Sequence, residues 1–255
     1  MTTLQPRSSI PSVANSSGWT VSLHDVVGST NDVAASLPAW NAVVANTQTG
    51  GRGRYRRSWV SDEGGIWLSA VLPTPGPASD WSILPLAAGW AVREALAGLG
   101  VQGLRLRWPN DVMIGRGKLA GILVERFHSG TAVIGLGLNY LNHPESADPS
   151  LAGNIVRLAD VLPQLPPRHE VIDCILAQLA HAQRLIAGQS IAQLLPTLNE
   201  AWTGGRVSLE LHGSPEPLVG KLVAVDASGI LEIHPDRAPP VFISPLAVER
   251  LRECQ

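Results

Sequence analysis

The stretch QTGGRGRYRRSW (48–59) joins two apolar segments that read as strands, AVVAN (42–46) and GIWLSAVL (65–72), and it carries three glycines and four arginines. Glycine lets a main chain approach an anion closely and take positive φ. The guanidinium forks of Arg52, Arg54, Arg56 and Arg57 bind carboxylate or phosphate in bidentate fashion. A loop of this composition between buried strands suits a polyphosphate and a carboxylate held together. Trp59, just after it, can stack on a base or close an apolar slot. The loop is not a P-loop, because no GK[ST] follows. A nucleic-acid contact and a solvated turn remain open as alternatives.

Three further stretches carry chemistry. In RWPNDVMIGRGKLAGILVE (107–125), Trp108-Pro109-Asn110-Asp111 makes a rigid turn out of a strand, since proline fixes its own φ and restricts its neighbour. Lys118 opens the next strand seven residues after Asp111, so opposite charges can be aimed into one pocket, with an incidental salt bridge as the plainer alternative. In IGLGLNY (134–140), Gly135, Gly137 and Asn139 share one face of an apolar strand, and glycine in a strand often marks close approach of a ligand or another backbone. Ser29-Thr30-Asn31 reads as a helix cap on its own.

Residues 1–18, rich in Ser, Pro, Asn and Gly, read as a loose leader. TVSLH (20–24) is the first expected strand, and a short helix runs from Ser29 to about Leu37. Asp80 is expected to cap a core helix over Trp81–Leu99. LRLRW (104–108), KLAGILVERF (118–127) and TAVIGLGLNY (131–140) read as strands, the last two as a hairpin turned at Ser129-Gly130. A short helix is expected near Val156–Val161. A helical stripe through Val171, Ile172, Ile175, Leu176 and Leu179 stops near Gly188, and a last helix spans about Ile191–Trp202. After Thr203-Gly204-Gly205 come short strands suited to a small barrel.

A chain of 255 residues with net charge -2 offers no general field for nucleic acid or an anionic membrane. Cys174 and Cys254 form no CxxC pair and read as free thiols of a reducing compartment. No apolar run near the start reads as a signal peptide, and none elsewhere reaches the ~18–20 residues of a membrane helix. No HExxH, Gx-S-xG or other metal or nucleophile motif appears, so no metal site is expected.

STN, GRGRxxRxW, SxxGGIWLS, WPND with KLAGILVE, and GLGLN follow in order over about residues 25–140, and together they resemble the biotin protein ligases. The final module, with GKLVAVDASGIL, is similar to that family's SH3-like C-terminal domain. The resemblance implies an α+β fold: a class II aminoacyl-tRNA synthetase-like catalytic domain (19–203) with a mixed sheet flanked by helices, after a flexible leader (1–18). A small SH3-like β-barrel (204–255) follows. It implies a cytoplasmic, ATP- and Mg²⁺-dependent ligase, monomeric or weakly dimeric. Such an enzyme makes biotinyl-5′-AMP and transfers biotin to a lysine of a biotin carboxyl carrier protein domain.

The resemblance also assigns roles. Lys118, Arg54 and Asp111 match catalytic positions. Ser29, Thr30, Asn31, Gln48, Gly50, Gly51, Arg52, Arg54, Lys118, Gly121, Gly135 and Gly137 match the biotin site. Arg52, Arg54, Arg57, Trp59, Asn110, Lys118 and Asn139 match the nucleotide site. Arg56 stands where the family commonly has glycine, and residues 141–167 hold no tryptophan to cover adenine. The first strand begins too near the start for the family's DNA-binding domain, so no DNA partner is expected. Rival readings are a lipoate ligase or octanoyltransferase, which share the fold, and a non-catalytic biotin-sensing or nucleic-acid-binding protein.

Overall fold

The computed structural model describes residues 12–14, 18–126, 128, 130–188, 191–200 and 205–254. In chain order the elements of the larger part are β1 (Ser12–Ala14), β2 (Thr20–Val27), α1 (Thr30–Ala34), β3 (Asn41–Gln48), β4 (Ile66–Pro73) and α2 (Leu84–Gly98). There follow β5 (Leu104–Arg107), β6 (Asp111–Ile114), β7 (Gly117–Glu125), β8 (Thr131–Leu138), α3 (Leu158–Val161), α4 (Arg168–Ala187) and α5 (Leu195–Glu200). One eight-stranded sheet runs β1-β2-β3-β4-β8-β7-β6-β5. Only β2 and β3 are parallel neighbours, through the crossover that carries α1; every other pair is antiparallel.

The near-continuous apolar run of β4 makes it a central strand buried on both faces. Alternation sorts its side chains. Leu68, Ala70 and Leu72 join Ala42, Val44, Ile134 and Leu136 in the main core, while Val71 joins Val43, Val133 and Ala34 of α1 in a smaller cluster on the opposite face. The helix pair α2 and α4 covers the first face, with Val171, Ile175, Leu176 and Leu179 fully buried. The second face is covered by α1 at one end only. What remains open becomes the site.

Several expectations need correction. Residues 12–14, read as part of a loose leader, pair with β2 as an edge strand. Asp80 does not cap the core helix; it lies in a 3₁₀ turn, Ala78–Trp81, and α2 begins at Leu84 with Pro85 in its first turn, where a missing N–H costs nothing. Asp111, read as the end of a turn, opens the strand β6 (DVMI), which the sequence pattern does not assign. The last helix is a 3₁₀ turn, Ile191–Gln193, followed by the short α5, because Pro196 tolerates only a first-turn position. Trp202 and Ser129 lie outside the described residues.

The C-terminal strands β9 (Arg206–Leu211), β10 (Leu218–Val225), β11 (Leu231–Pro235), β12 (Val241–Ile243) and β13 (Val248–Glu253) form a second, antiparallel sheet in the order β12-β11-β10-β9-β13. Its inward residues Val207, Leu209, Leu222 and Ile233 belong to the same apolar cluster as the main core. Trp108, 2% exposed, spans the junction, and its Nε1–H donates to Gly229 O at 3.3 Å. Asn199 of α5 bonds both the N–H and the C=O of Val225. Trp108→Ala is therefore expected to lower stability by about 3–5 kcal/mol, read from denaturant unfolding; a loss under about 1 kcal/mol would contradict this packing.

Candidate functional site

The open part of the second sheet face is the floor of a cavity of about 800 Å³, roofed by the 52–60 loop, residues 144–155 and β13. Eight of the chain's 19 Lys and Arg residues line it, but only three of its 21 Asp and Glu. A chain of net charge -2 has thus set an excess of positive charge in one concavity, which is what an anionic ligand requires.

The floor is built from strand glycines. Gly121 and Gly137 are direct partners across β7 and β8. A Cβ on Gly137 would stand 2.4 Å from Trp59 Nε1, and one on Gly121 2.8 Å from the Trp59 ring and 3.0 Å from Lys118 Nζ. The indole therefore lies directly on backbone that only glycine leaves bare, with Lys118 Nζ 4.6 Å from its ring centroid. A Cβ on Gly135 would stand 2.3 Å from Asn31 Oδ1.

The inner end of the cavity is polar. Ser29 holds the N-cap position of α1 but makes no side-chain cap bond, so helix capping does not account for Ser29-Thr30-Asn31. Thr30 N–H donates to Gln48 Oε1 at 2.8 Å, and Thr30 Oγ1 lies 3.0 Å from the same oxygen. Gln48 Nε2 donates to Ser61 Oγ, which in turn donates to Trp59 O. Ser69 Oγ, 0% exposed, stands 2.7 Å from Thr30 Oγ1 and 2.6 Å from Asn31 Oδ1. Asn31 Nδ2 donates to Glu125 Oε2 at 2.6 Å.

At the other end, Asp111 Oδ1 forms an ion pair with Lys118 Nζ at 2.6 Å, and its Oδ2 accepts from Arg107 Nη2 at 2.7 Å. Burial pushes the Asp111 carboxyl up, but Lys118 and Arg107 outweigh it and hold it below the ordinary carboxylate range. Asp111 is therefore a fixed negative charge that aims the lysine, and a weak base. With a depressed folded pKa, its stabilising contribution is present above the unfolded value of about 4 and is lost as pH falls through the folded one. Asn110 and Asn139 also line the cavity, and their amides clip backbone together: Asn110 Nδ2 donates to Ile122 O and Asn139 Nδ2 to Lys118 O.

The arginines of the loop have separate partners. Arg52 makes a two-point ion pair with Asp32 (2.6 and 2.9 Å) and also reaches Glu125 at 3.2 Å. Arg54 Nη2 donates to Pro245 O at 2.6 Å and Val248 O at 3.2 Å, and Tyr55 Oη–H donates to Val248 O at 2.6 Å. Burial lowers the Arg54 pKa from its usual value. The C-terminal sheet thus both holds the loop tip and, through Glu249 to Arg252, walls the cavity, a part that the sequence reading did not give it. Tyr55 and Arg56 take φ of 57° and 56°, where side chains cost about 1–2 kcal/mol. Arg56→Gly should relieve that strain and, after the extra unfolded-state entropy of glycine, raise stability by about 0.5–1 kcal/mol. An unchanged or lower melting temperature would contradict it.

Of the residues singled out from sequence, Ser29, Thr30, Asn31, Gln48, Arg52, Arg54, Arg57, Trp59, Asn110, Asp111, Lys118, Gly121, Gly135, Gly137 and Asn139 all line this one cavity. Gly50 and Gly51 do not. Gly50 N–H bonds Gly28 O, and a Cβ on Gly51 would sit 2.3 Å from Ser61 Oγ, so these two glycines shape the root of the loop. Ser61, Ser69, Glu125 and Arg107, although they lie within the quoted motifs, and β13 were given no role in the site. A lone serine inside a strand otherwise apolar was the available signal for Ser69.

Comparison with known proteins bears on this geometry. Residues 24–139 match the Biotin/lipoate A/B protein ligase family. The chain is 34% identical over 232 residues to the biotin--[acetyl-CoA-carboxylase] ligase of Mycobacterium tuberculosis, covering 84% of each. It is 29% identical over 203 residues to that of Paracoccus denitrificans, covering 76% of this chain and 79% of the relative. Its fold is similar to the biotin protein ligase from Aquifex aeolicus in complex with biotin and ATP, with TM-score 0.80 and 25% identity over 92% of this chain and 99% of that one. Likeness on this scale extends well beyond the motifs, and the chain belongs to the biotin protein ligase family.

Proposed function

We propose that this protein activates biotin with ATP to biotinyl-5′-AMP and transfers the biotinyl group to a lysine of a biotin carboxyl carrier protein domain. The observation that carries the choice of biotin is the closed, polar inner wall of Thr30, Asn31, Gln48 and Ser69. Such a wall offers its remaining acceptor lone pairs to a ureido ring, whereas the alkyl chain of octanoate or the dithiolane of lipoate has no N–H to give them.

In the first step a biotin carboxylate oxygen attacks the α-phosphorus of ATP and pyrophosphate leaves. Both reactants are anions, so the task is to cancel repulsion and hold them in line. Lys118, steadied by Asp111, stands over the glycine floor at the end opposite the polar wall, and Arg54 and Arg57 approach from the loop. Arg52, paired with Asp32 and Glu125, anchors the loop at its biotin side. This fixed positive charge acts where negative charge crowds together. Mg²⁺ would come on the triphosphate; among the described residues no group of three or more His, Cys, Asp or Glu could hold a metal ion.

In the second step the carrier lysine attacks the mixed anhydride and AMP leaves, Asp111 orienting the incoming amine. The loop, ordering further over the adenylate, would keep water from it. We assign the larger sheet to a class II aminoacyl-tRNA synthetase-like catalytic domain (19–203), and residues 204–255 to an SH3-like module. We place the enzyme in the cytoplasm as a monomer or weak homodimer. Two free cysteines suit that compartment, and no helix among the described residues is long and apolar enough to cross a membrane.

The test is a competition. The purified chain receives Mg-ATP, a carrier domain and equal biotin, lipoate and octanoate, and the modified lysine is identified by mass spectrometry. A biotinyl adduct on one lysine is expected; a lipoyl or octanoyl adduct in its place would refute the assignment.

A further inference from the structure

We infer that Glu125 is a positioning residue that sets the direction of the hydrogen bonds in the wall holding the biotin ring, so that Thr30 faces the ligand as an acceptor. The inference rests on the reading that this wall takes the ureido ring. Glu125 closes β7, outside the glycine floor, with its side chain 28% exposed. One of its oxygens, Oε2, receives both Asn31 Nδ2 at 2.6 Å and Arg52 Nη2 at 3.2 Å.

The proton positions follow by elimination. A carboxylate only accepts, so the Asn31 amide must turn its NH₂ towards Glu125 and its Oδ1 towards Ser69. Asn31 Oδ1 and Ser69 Oγ stand 2.6 Å apart, a gap between oxygens that requires a proton, and only Ser69 has one to give. Ser69 Oγ is also 2.7 Å from Thr30 Oγ1. With the serine proton already committed, Thr30 must donate here. Its longer contact to Gln48 Oε1, at 3.0 Å, goes without a proton, and that oxygen is served by Thr30 N–H instead.

The order is therefore Thr30 to Ser69 to Asn31 to Glu125, with both hydroxyl protons used inside the wall. The Thr30 hydroxyl keeps only lone pairs for the cavity. A ureido N–H finds an acceptor there, and a ligand offering an acceptor at that point is refused. Without the carboxylate, Asn31 is free to turn over, Ser69 then donates to Thr30, and the Thr30 proton points away from Ser69. The wall is then wrong for an N–H ligand although no residue touching the ring has changed.

Three variants separate this relay from a merely structural role. Glu125→Leu removes the acceptor and is expected to raise the KM for biotin about 30-fold, with kcat and the KM for ATP within about threefold of the unaltered enzyme. Glu125→Gln retains an oxygen for Asn31 and Arg52 together and should stay within about threefold of it in all three constants. Ser69→Ala cuts the relay but leaves the Glu125–Arg52 contact in place, and should raise the biotin KM about 10-fold. The Leu and Ala variants should also discriminate less between biotin and its two N-methyl derivatives.

Wild-type constants for Glu125→Leu and Ser69→Ala, or equal damage in Glu125→Gln and Glu125→Leu, would overturn the relay. Calorimetry keeps the two levels apart. No biotin binding by the unaltered chain removes the functional reading with it, whereas binding left intact by the variants removes the relay alone.

Discussion

Lys118→Met is expected to slow biotinyl-AMP formation by about 10³-fold or more, since a single preorganised charge or donor at a developing charge is worth about 10²–10³ and here the reactants repel as well. The effect should fall on kcat for adenylation, measured by pyrophosphate release in a single turnover. Biotin affinity should change far less, because the polar wall that holds the ring lies at the other end of the floor. The substitution leaves Asp111 with Arg107 as its remaining cationic partner of the two. Its carboxyl then titrates closer to its ordinary range, and the acid side of the stability profile moves to higher pH. A Lys118→Met enzyme with near-normal adenylation would mean that the lysine is only a strut for Asp111.

Gly135→Ala should raise the biotin KM by roughly 100-fold, the combined cost of overpacking and of lost wall hydrogen bonds. The added methyl would stand 2.3 Å from Asn31 Oδ1, and Asn31 cannot retreat, being held by Ser69 at one end and Glu125 at the other. Gly137→Ala makes the informative contrast. Its methyl would meet the Trp59 indole, whose Nε1 makes no hydrogen bond that would have to break, so its effect should be several-fold smaller. Equal effects of the two would show that the floor is uniformly rigid and that Asn31 has no special place. Biotin titration calorimetry on both variants decides it.

Much of this site was legible before the fold was known. Alternate glycines in an apolar strand marked a close approach, and the spacing of Asp111 and Lys118 placed opposite charges in one pocket, because both signals are local in sequence. What escaped was what long-range pairing creates. Ser69 meets Thr30 and Asn31 only because β4 lies beside β8 and faces α1, and Glu125 lies 94 residues from Asn31 along the chain. The C-terminal segment reads as the short strands of a small barrel, and a second antiparallel sheet is what stands there, yet nothing in its pattern says that β13 folds back to wall the cavity or that Val248 O receives Arg54. The core helix began late because a local cap signal at Asp80 was outweighed by Pro85, which suits the first turn of a helix better than its middle.

The central claim is that one cavity compels two anions to meet. The most direct measurement omits the carrier: purified enzyme, biotin and Mg-ATP are mixed, and the protein-bound small molecules are identified by mass spectrometry. Biotinyl-5′-AMP near one equivalent per chain, with matching pyrophosphate, is the predicted result. Biotin bound beside unreacted ATP, with no adenylate formed, would contradict the account.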